Sequence, residues 1–381
     1  MAFTISPLTK KRFRNFRRMK RAWWAFAALC GITVFCMCAD FVCPCDPGAV
    51  IDPATLEKYR KPDVEVSYDV KTARFTVAES GEVCDWEGPE EVRRRIGGTF
   101  DPARPEAVPG LLGEYHVKAT RRPGRTRVFL EPKKPPVAET KTVSAPPVTY
   151  PFRPCREHPF GIDAGGRDVY SRVVHGMRTS LLFGFALAFW AMLTGLAIGA
   201  VEGYFGGTTD ILMQRFTEIW SAVPFIYVMI FIGSTVGRSF TVLLVCYAIF
   251  NWITVSYYMR AEFLRLRTRS FVEAAKVQGF SAARIVFRHI LPNALTPLVT
   301  LFPFLLVGAI GSLAALDFLG FGLPPMTPSC GELMQEAQQF RSAWWLVLFP
   351  AAALFVVMLL SVLVGEGLRD AFDPRQRSRL E

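Results

Sequence analysis

Five stretches of the chain carry no Asp, Glu, Lys or Arg: Thr179–Val201, Ile219–Gly237, Ser239–Met259, His289–Leu316 and Ser342–Gly365. Each is long enough to cross a bilayer, which takes roughly 20 apolar residues in a helix. A sixth stretch, Ala22–Ala39, is shorter but starts on Trp23 and Trp24, whose amphipathic rings suit a membrane interface. The pattern therefore predicts an all-α polytopic protein with six membrane helices. Between the first two lies a different rhythm. VEVSY (Val64–Tyr68), RFTV (Arg74–Val77), YHVKA (Tyr115–Ala119) and TRVFL (Thr126–Leu130) alternate apolar and polar positions, which predicts short strands. Pro89–Gly97 predicts one helix with an early proline. The run KKPPVAETKTVSAPPVTYPFRP is a Pro-rich connector of extended character. Together they predict a small, mostly β insert of about 90 residues, near the lower size limit for independent folding.

Charge adds an orientation. Met1–Arg21 holds eight Lys/Arg and no acid, and Arg260–Arg288 holds seven against Glu262 and Glu273. Basic flanks stay in the cytoplasm. An even number of spans then puts both termini and the 260–288 loop inside, with the insert outside. The division that follows is a basic N-terminus (1–21), an anchor (22–42), an insert with its connector (43–154), a pre-core segment (155–178), a core (179–368) containing the 260–292 loop, and a tail (369–381). The net charge of +11 is a topology signal here and calls for no nucleic acid. The basic start followed by an apolar run also has a signal-peptide layout, but no clear small-x-small cleavage site follows, so it reads as an uncleaved anchor.

Cys43, Cys45, Cys84, Cys155 and Cys330 fall on the outer side of this topology, where disulfides form. Five is odd, so one is left over unless it pairs between chains, and no pairing is legible. Cys43 and Cys45 stand one residue apart with no matching His pair, a poor zinc spacing.

The chemistry-bearing motif is EAAKVQGFSAARIVFRHILPN, Glu273–Asn293. A short helix over Phe271–Val277 runs into Gly279, which permits a tight break. Ser281 can cap a second helix, which Pro292 discourages from continuing unbroken. A helix–Gly–helix knob on a membrane face suits docking into another protein. In Glu273, Ala274, Ala275, Gly279, Leu291 and Pro292 the loop resembles the EAA loop of ABC-importer permeases. Where the wider pattern has Ile, this chain has His289, and RHILPN is what the peptide class shows.

Two more runs point the same way. HPFGIDAGGRDVYSRVVHGMRTSL (His158–Leu181) carries His158, Asp163 and Asp168, which tempt a catalytic reading. No Ser or Cys nucleophile signature accompanies them, and a charged membrane-entry segment accounts for the same residues. LDFLGFGLPPMTPSCGELM (Leu316–Met334) is too broken by Gly and Pro to be a span and reads as an outer hairpin or re-entrant element. These runs, with GEGLRDAFDPR after the last span, resemble the dipeptide/oligopeptide/nickel class of ABC permeases, most closely its Yej-type branch. The likeness covers roughly His158–Arg375 and the anchor, and leaves out the insert.

That resemblance implies a type I importer core, a second homologous permease chain, cytoplasmic ATPase subunits and an extracytoplasmic solute-binding protein. It implies an oligopeptide or peptide-like cargo, with nickel or another small solute left open. It also implies that Glu273, Ala274, Ala275, Gly279, His289, Leu291 and Pro292 form the ATPase-coupling loop. Glu273 would contact the ATPase, the two small alanines would allow close approach, and Gly279 would set the bend. No G-x-x-x-x-G-K-[ST] occurs, so ATP and Mg belong on the partner and this chain holds no cofactor and no metal. The five core stretches contain no ionisable group that could couple ions to transport, which disfavours a secondary transporter. No filter motif or charged ring marks a channel, and no active site marks an enzyme.

Overall fold

The computed structural model describes residues 14–43, 45–60, 64–68, 73–88, 90, 92, 94, 111–133, 139–143 and 148–372. Most of the expected helix at Pro89–Gly97, residues 134–138 and 144–147 of the Pro-rich connector, and the ends of the chain lie outside them. Two compact units emerge, Leu56–Val148 and the rest of the chain.

The smaller unit is built on strands. An antiparallel four-stranded sheet of order β3-β2-β5-β4 comprises β2 (Ala73–Ala78), β3 (Val83–Glu87), β4 (Tyr115–Arg122) and β5 (Arg125–Pro132). β1 (Val64–Tyr68) pairs separately with β6 (Glu139–Val143). Alternation works here because one face is covered. Phe75, Val77, Val128 and Leu130 are buried together, and Trp86 meets Phe75 edge-on at 5.7 Å.

The larger unit is helical. α1 is Lys20–Met37, α2 Val169–Phe205, α3 Gly207–Ser221, α4 Phe225–Thr235, α5 Phe240–Asn251 and α6 Ile253–Leu266. A short α7 (Ser270–Val277) leads by way of a π-helical turn, Ile285–Ile290, into α8 (Leu291–Phe318). α9 (Cys330–Glu336) and α10 (Trp345–Phe372) complete it.

By length and composition, four helices among the described residues can cross a membrane: Val169–Phe205, Phe240–Leu266, Ala282–Phe318 and Trp345–Phe372. The pair α3 and α4 makes five if its 64° bend lies within one span. The count is thus four to five where the hydropathy pattern predicts six. α1 misses because Lys20 and Arg21 in its first turn lower the mean hydropathy of its 18 residues. The uninterrupted span expected at Ile219–Gly237 is broken at Pro224, which lacks the N–H a continuing helix needs and biases Val223 away from helical angles.

Pro292 has the opposite outcome. The expected break is absent, and the helix runs on from Ala282 to Phe318. Pro292 sits in the first turn of α8, directly after the π turn, where the shift from i→i+5 to i→i+4 bonding accommodates a residue that donates nothing.

α2 and α6 lie close together because Gly195, Gly199 and Gly203 recur every fourth residue along their contact. A side-chain carbon at Gly199 would stand 2.6 Å from the Ser256 carbonyl, and one at Gly203 2.5 Å from Phe263 Cβ. Against α10, α1 packs Ala22, Ala25 and Leu29 in one core with Val364 and Ala371.

Candidate coupling site

The knob is an α-helical hairpin with its own small core. Val272 and Ala275, three residues apart and so on one face of α7, are buried against Phe263 and Leu266 of α6 and against Ile285, Ile290 and Ala294. α7 ends in a paired backbone lock. The Gly279 amide donates to Lys276 O at 2.9 Å and the Phe280 amide to Ala275 O at 3.2 Å. These two bonds define the Schellman motif, and Phe280 adds the apolar contact that accompanies it. The motif places Gly279 at φ 77°, while nothing lies within 4 Å of the side-chain position. Glycine is required there by backbone angle alone. Ser281 then accepts a hydrogen bond from the Arg284 amide at 3.4 Å, the expected cap.

Burial divides the predicted site residues. Glu273, Ala274, Gly279 and Pro292 are exposed, while Ala275 is buried and His289 and Leu291 are half-buried. The expectation that both alanines allow close approach of a partner is therefore corrected for Ala275, whose smallness serves packing within the knob. The His289 ring stacks on Phe280, centroids 5.8 Å apart and 17° from parallel, and the Arg284 guanidinium lies 5.1 Å from the same Phe280 ring. Val277, 90% exposed, and Phe287, 68% exposed, leave large apolar side chains on the free surface of an otherwise basic loop.

At the other end of α2, a helix of 37 residues about 55 Å long, stands a second constellation. The charged membrane-entry segment leads into α2, and Asp163, Arg167, Asp168 and Arg172 within it are buried. Asp163 is fully enclosed and receives the Arg167 amide at 2.7 Å, Arg167 Nε at 2.9 Å and Arg172 Nη1. Arg172, 1% exposed, donates through Nη2 to Glu332 on α9 at 2.6 Å and lies 3.6 Å from Glu336. Glu336 accepts the Ala164 amide at 3.0 Å, and burial pushes its carboxyl up, with the Asp163 charge adding to the shift. Asp168 caps α2 through the Ser171 amide at 2.8 Å and pairs with His158 at 2.8 Å. His158 and Asp163 thus have separate partners and form no catalytic relay.

Asp317, at the end of α8, gathers the hairpin by accepting the Leu323 amide at 2.7 Å and the Ser329 hydroxyl. Cys330 is enclosed at the head of α9, its Sγ 3.9 Å from Val173 O. Sequence reasoning missed the partnership of Arg172 with Glu332 and Glu336. Its only local sign is that the two glutamates stand one turn apart.

Comparison with known proteins gives this geometry a context. Residues 191–378 match the family described as binding-protein-dependent transport system inner membrane component. The peptidoglycan transport system permease protein YejE of Agrobacterium fabrum is 32% identical over 385 residues, covering 98% of this chain and 95% of that protein. The inner membrane ABC transporter permease protein YejE of Escherichia coli is 32% identical over 375 residues, 98% of each. The dipeptide transport system permease protein DppC of Alkalihalophilus pseudofirmus is 39% identical over 226 residues, 59% of this chain and 74% of that protein. The insert therefore falls within the length shared with the first two, which corrects the expectation that the likeness leaves it out. Matched almost end to end by two such proteins, the chain belongs to the family of binding-protein-dependent inner membrane permeases of ABC transporters.

Proposed function

We propose that this protein is one membrane-spanning subunit of an ATP-driven importer, carrying peptides or peptide-like compounds handed over by an extracytoplasmic solute-binding protein. The observation that carries the reading is the knob: a Schellman-locked helical hairpin that turns Glu273, Ala274, Val277 and Phe287 outward while Val272, Ala275 and Ile290 anchor it. A cytoplasmic ATPase pair would take that surface, holding the ATP and Mg that this chain has no motif to bind. The second permease chain would sit against the exposed apolar flanks of the spans, with lipid covering the rest.

Relatives named for dipeptide and peptidoglycan transport support a peptide or peptide-like cargo. In the proposed topology α1 serves as a sixth span, both termini and the knob are cytoplasmic, and the Leu56–Val148 unit lies outside. The mechanism is rocking: closure of the ATPase pair pulls the knob, and the helices that carry it, α6 and α8, switch access across the membrane.

Two measurements test the reading. Pull-down of the tagged chain from membranes should recover an ABC ATPase, and Glu273→Lys should reduce that recovery. Full recovery with the variant, at equal membrane abundance, counts against the knob as the docking element. A membrane-impermeant thiol reagent should label a cysteine introduced at His116 and not one at Arg269 in cells stripped of their outer membrane. Labelling at Arg269 would overturn the topology.

A further inference from the structure

Gly206 and Gly207, both at positive φ (63° and 56°), turn the chain from α2 into α3. Two arginines of α6 and its end hold this turn. Arg260 grips Asp210 on the first turn of α3 with both arms of its fork, Nε at 2.5 Å and Nη2 at 2.7 Å. Arg267 donates to Tyr204 O at 3.4 Å and fills the space beside Gly206, where a side-chain carbon would lie 2.2 Å from Nη1. Glu202, fully buried in the last turn of α2, accepts from Gln214 of α3 at 3.1 Å. The pre-core chemistry does not involve these residues, and the coupling motif stops short of them.

Their position gives them a use. Arg267 stands three residues before α7, so the arginines that hold the α2–α3 turn belong to the helix that feeds the knob. α6 is pressed onto α2 along the glycine contact, so those two helices move as one body. α3 is joined to them by a glycine turn, and its Ile211, Leu212 and Ile219 are largely exposed. Besides the arginine grip, α3 is held by Gln214 on Glu202 and by Trp220, which donates to Ile249 O at 3.2 Å and stacks on Phe250; the arginine pair is its ionic tie to the helix that feeds the knob.

We propose that Arg260, Asp210 and Arg267 form a clasp that passes displacement of the knob to α3, and through the bend at Pro224 to the broken span. They are positioning residues for transport. A bidentate guanidinium–carboxylate pair suits the task because it resists rotation as well as separation, which a lysine point charge does not. The inference rests on the coupling reading of the knob.

The test uses the full complex with its ATPase and binding protein in liposomes, with a thiol probe at Leu212→Cys on α3. ATP trapped with vanadate should change the labelling rate of that probe, and Arg260→Lys should shrink the change about tenfold, the scale of a typical coupling energy. ATPase recovery and basal ATP hydrolysis should stay at parental levels. Where Arg260→Lys fails to accumulate, Asp210→Asn, nearly isosteric, carries the same expectation. An ATP-driven change that survives either variant in full overturns the clasp. Glu273→Lys is run in parallel. Reduced ATPase recovery there, with an intact response in Arg260→Lys, sinks the clasp and leaves the coupling reading standing; unchanged recovery there sinks the coupling reading itself.

Discussion

The knob and the Arg172 cluster sit near opposite ends of the same long helix system and are held together by opposite means. The knob's interior is apolar, with Val272, Ala275, Ile285 and Ile290 packed at or below 3% exposure, while Glu273, Lys276 and Arg284 are exposed. The Arg172 cluster encloses charge: one arginine shared among Asp163, Glu332 and Glu336, with Arg167 closing the other side of Asp163. An apolar core tolerates being pushed as a unit and leaves the outer face free to meet a partner. A buried ionic cluster has no such freedom, because any displacement uncovers a charge without its counter-ion. In this contrast the knob is the part suited to move, and the Arg172 cluster is the part that keeps α9 and the pre-core segment in register.

The contrast predicts its largest effect at Arg172. Arg172→Ala leaves Glu332 without its cation and Asp163 held by Arg167 alone, a change of up to about 3–5 kcal/mol for a broken buried pair. The expected outcome is a steep drop in membrane abundance and in the unfolding midpoint of the purified complex. Parental stability in that variant would erase the distinction between the two regions.

Next in size is Ala275→Leu, which forces extra volume into the knob's small core at a cost of about 1–3 kcal/mol. Ala274→Leu, on the exposed face beside it, should leave the unfolding midpoint nearly unchanged while weakening ATPase recovery. Equal midpoints for the two variants would show that burial does not separate them.

Gly279→Ala is smaller still. A φ of 77° costs an L side chain about 1–2 kcal/mol, and nothing stands where the new carbon would lie. Abundance should therefore hold while uptake falls, and Gly279→Asn, a residue that visits left-handed angles more readily, should recover part of it. Identical uptake in all three proteins would remove the backbone angle from the account.

The smallest effect concerns pH. Glu336 is harder to ionise folded than unfolded, so it favours the fold most below the ordinary glutamate value of 4.5 and loses that contribution as pH climbs through its raised value. Glu336→Gln keeps the acceptor for the Ala164 amide and should flatten this decline in the unfolding midpoint above pH 4.5. A slope identical to the parent's would mean that the carboxyl ionises as easily folded as unfolded.

Much of this was legible before any coordinates. Long charge-free runs announce membrane helices because nothing in hydrocarbon can solvate a charge, and alternation at Arg74–Val77 announces a strand because successive side chains face opposite ways. Gly279 and Ser281 were readable because a Schellman turn and a cap depend on residues within a few positions of each other. The break at Pro224 was equally local, but a hydropathy average hides it, since proline interrupts a helix without adding charge.

Tertiary structure alone decided the rest. Arg172 meets Glu332 across 160 positions, and Arg260 meets Asp210 across 50, so no local pattern can distinguish these partners from solvated surface charges. Ala274 and Ala275 are chemically identical neighbours, and only the direction in which α7 lies on α6 sends one to the surface and the other into the core. Sequence determines what each segment can become, because those preferences are short-range. Which charges may be buried depends on what arrives opposite them, and that is settled only when the helices pack.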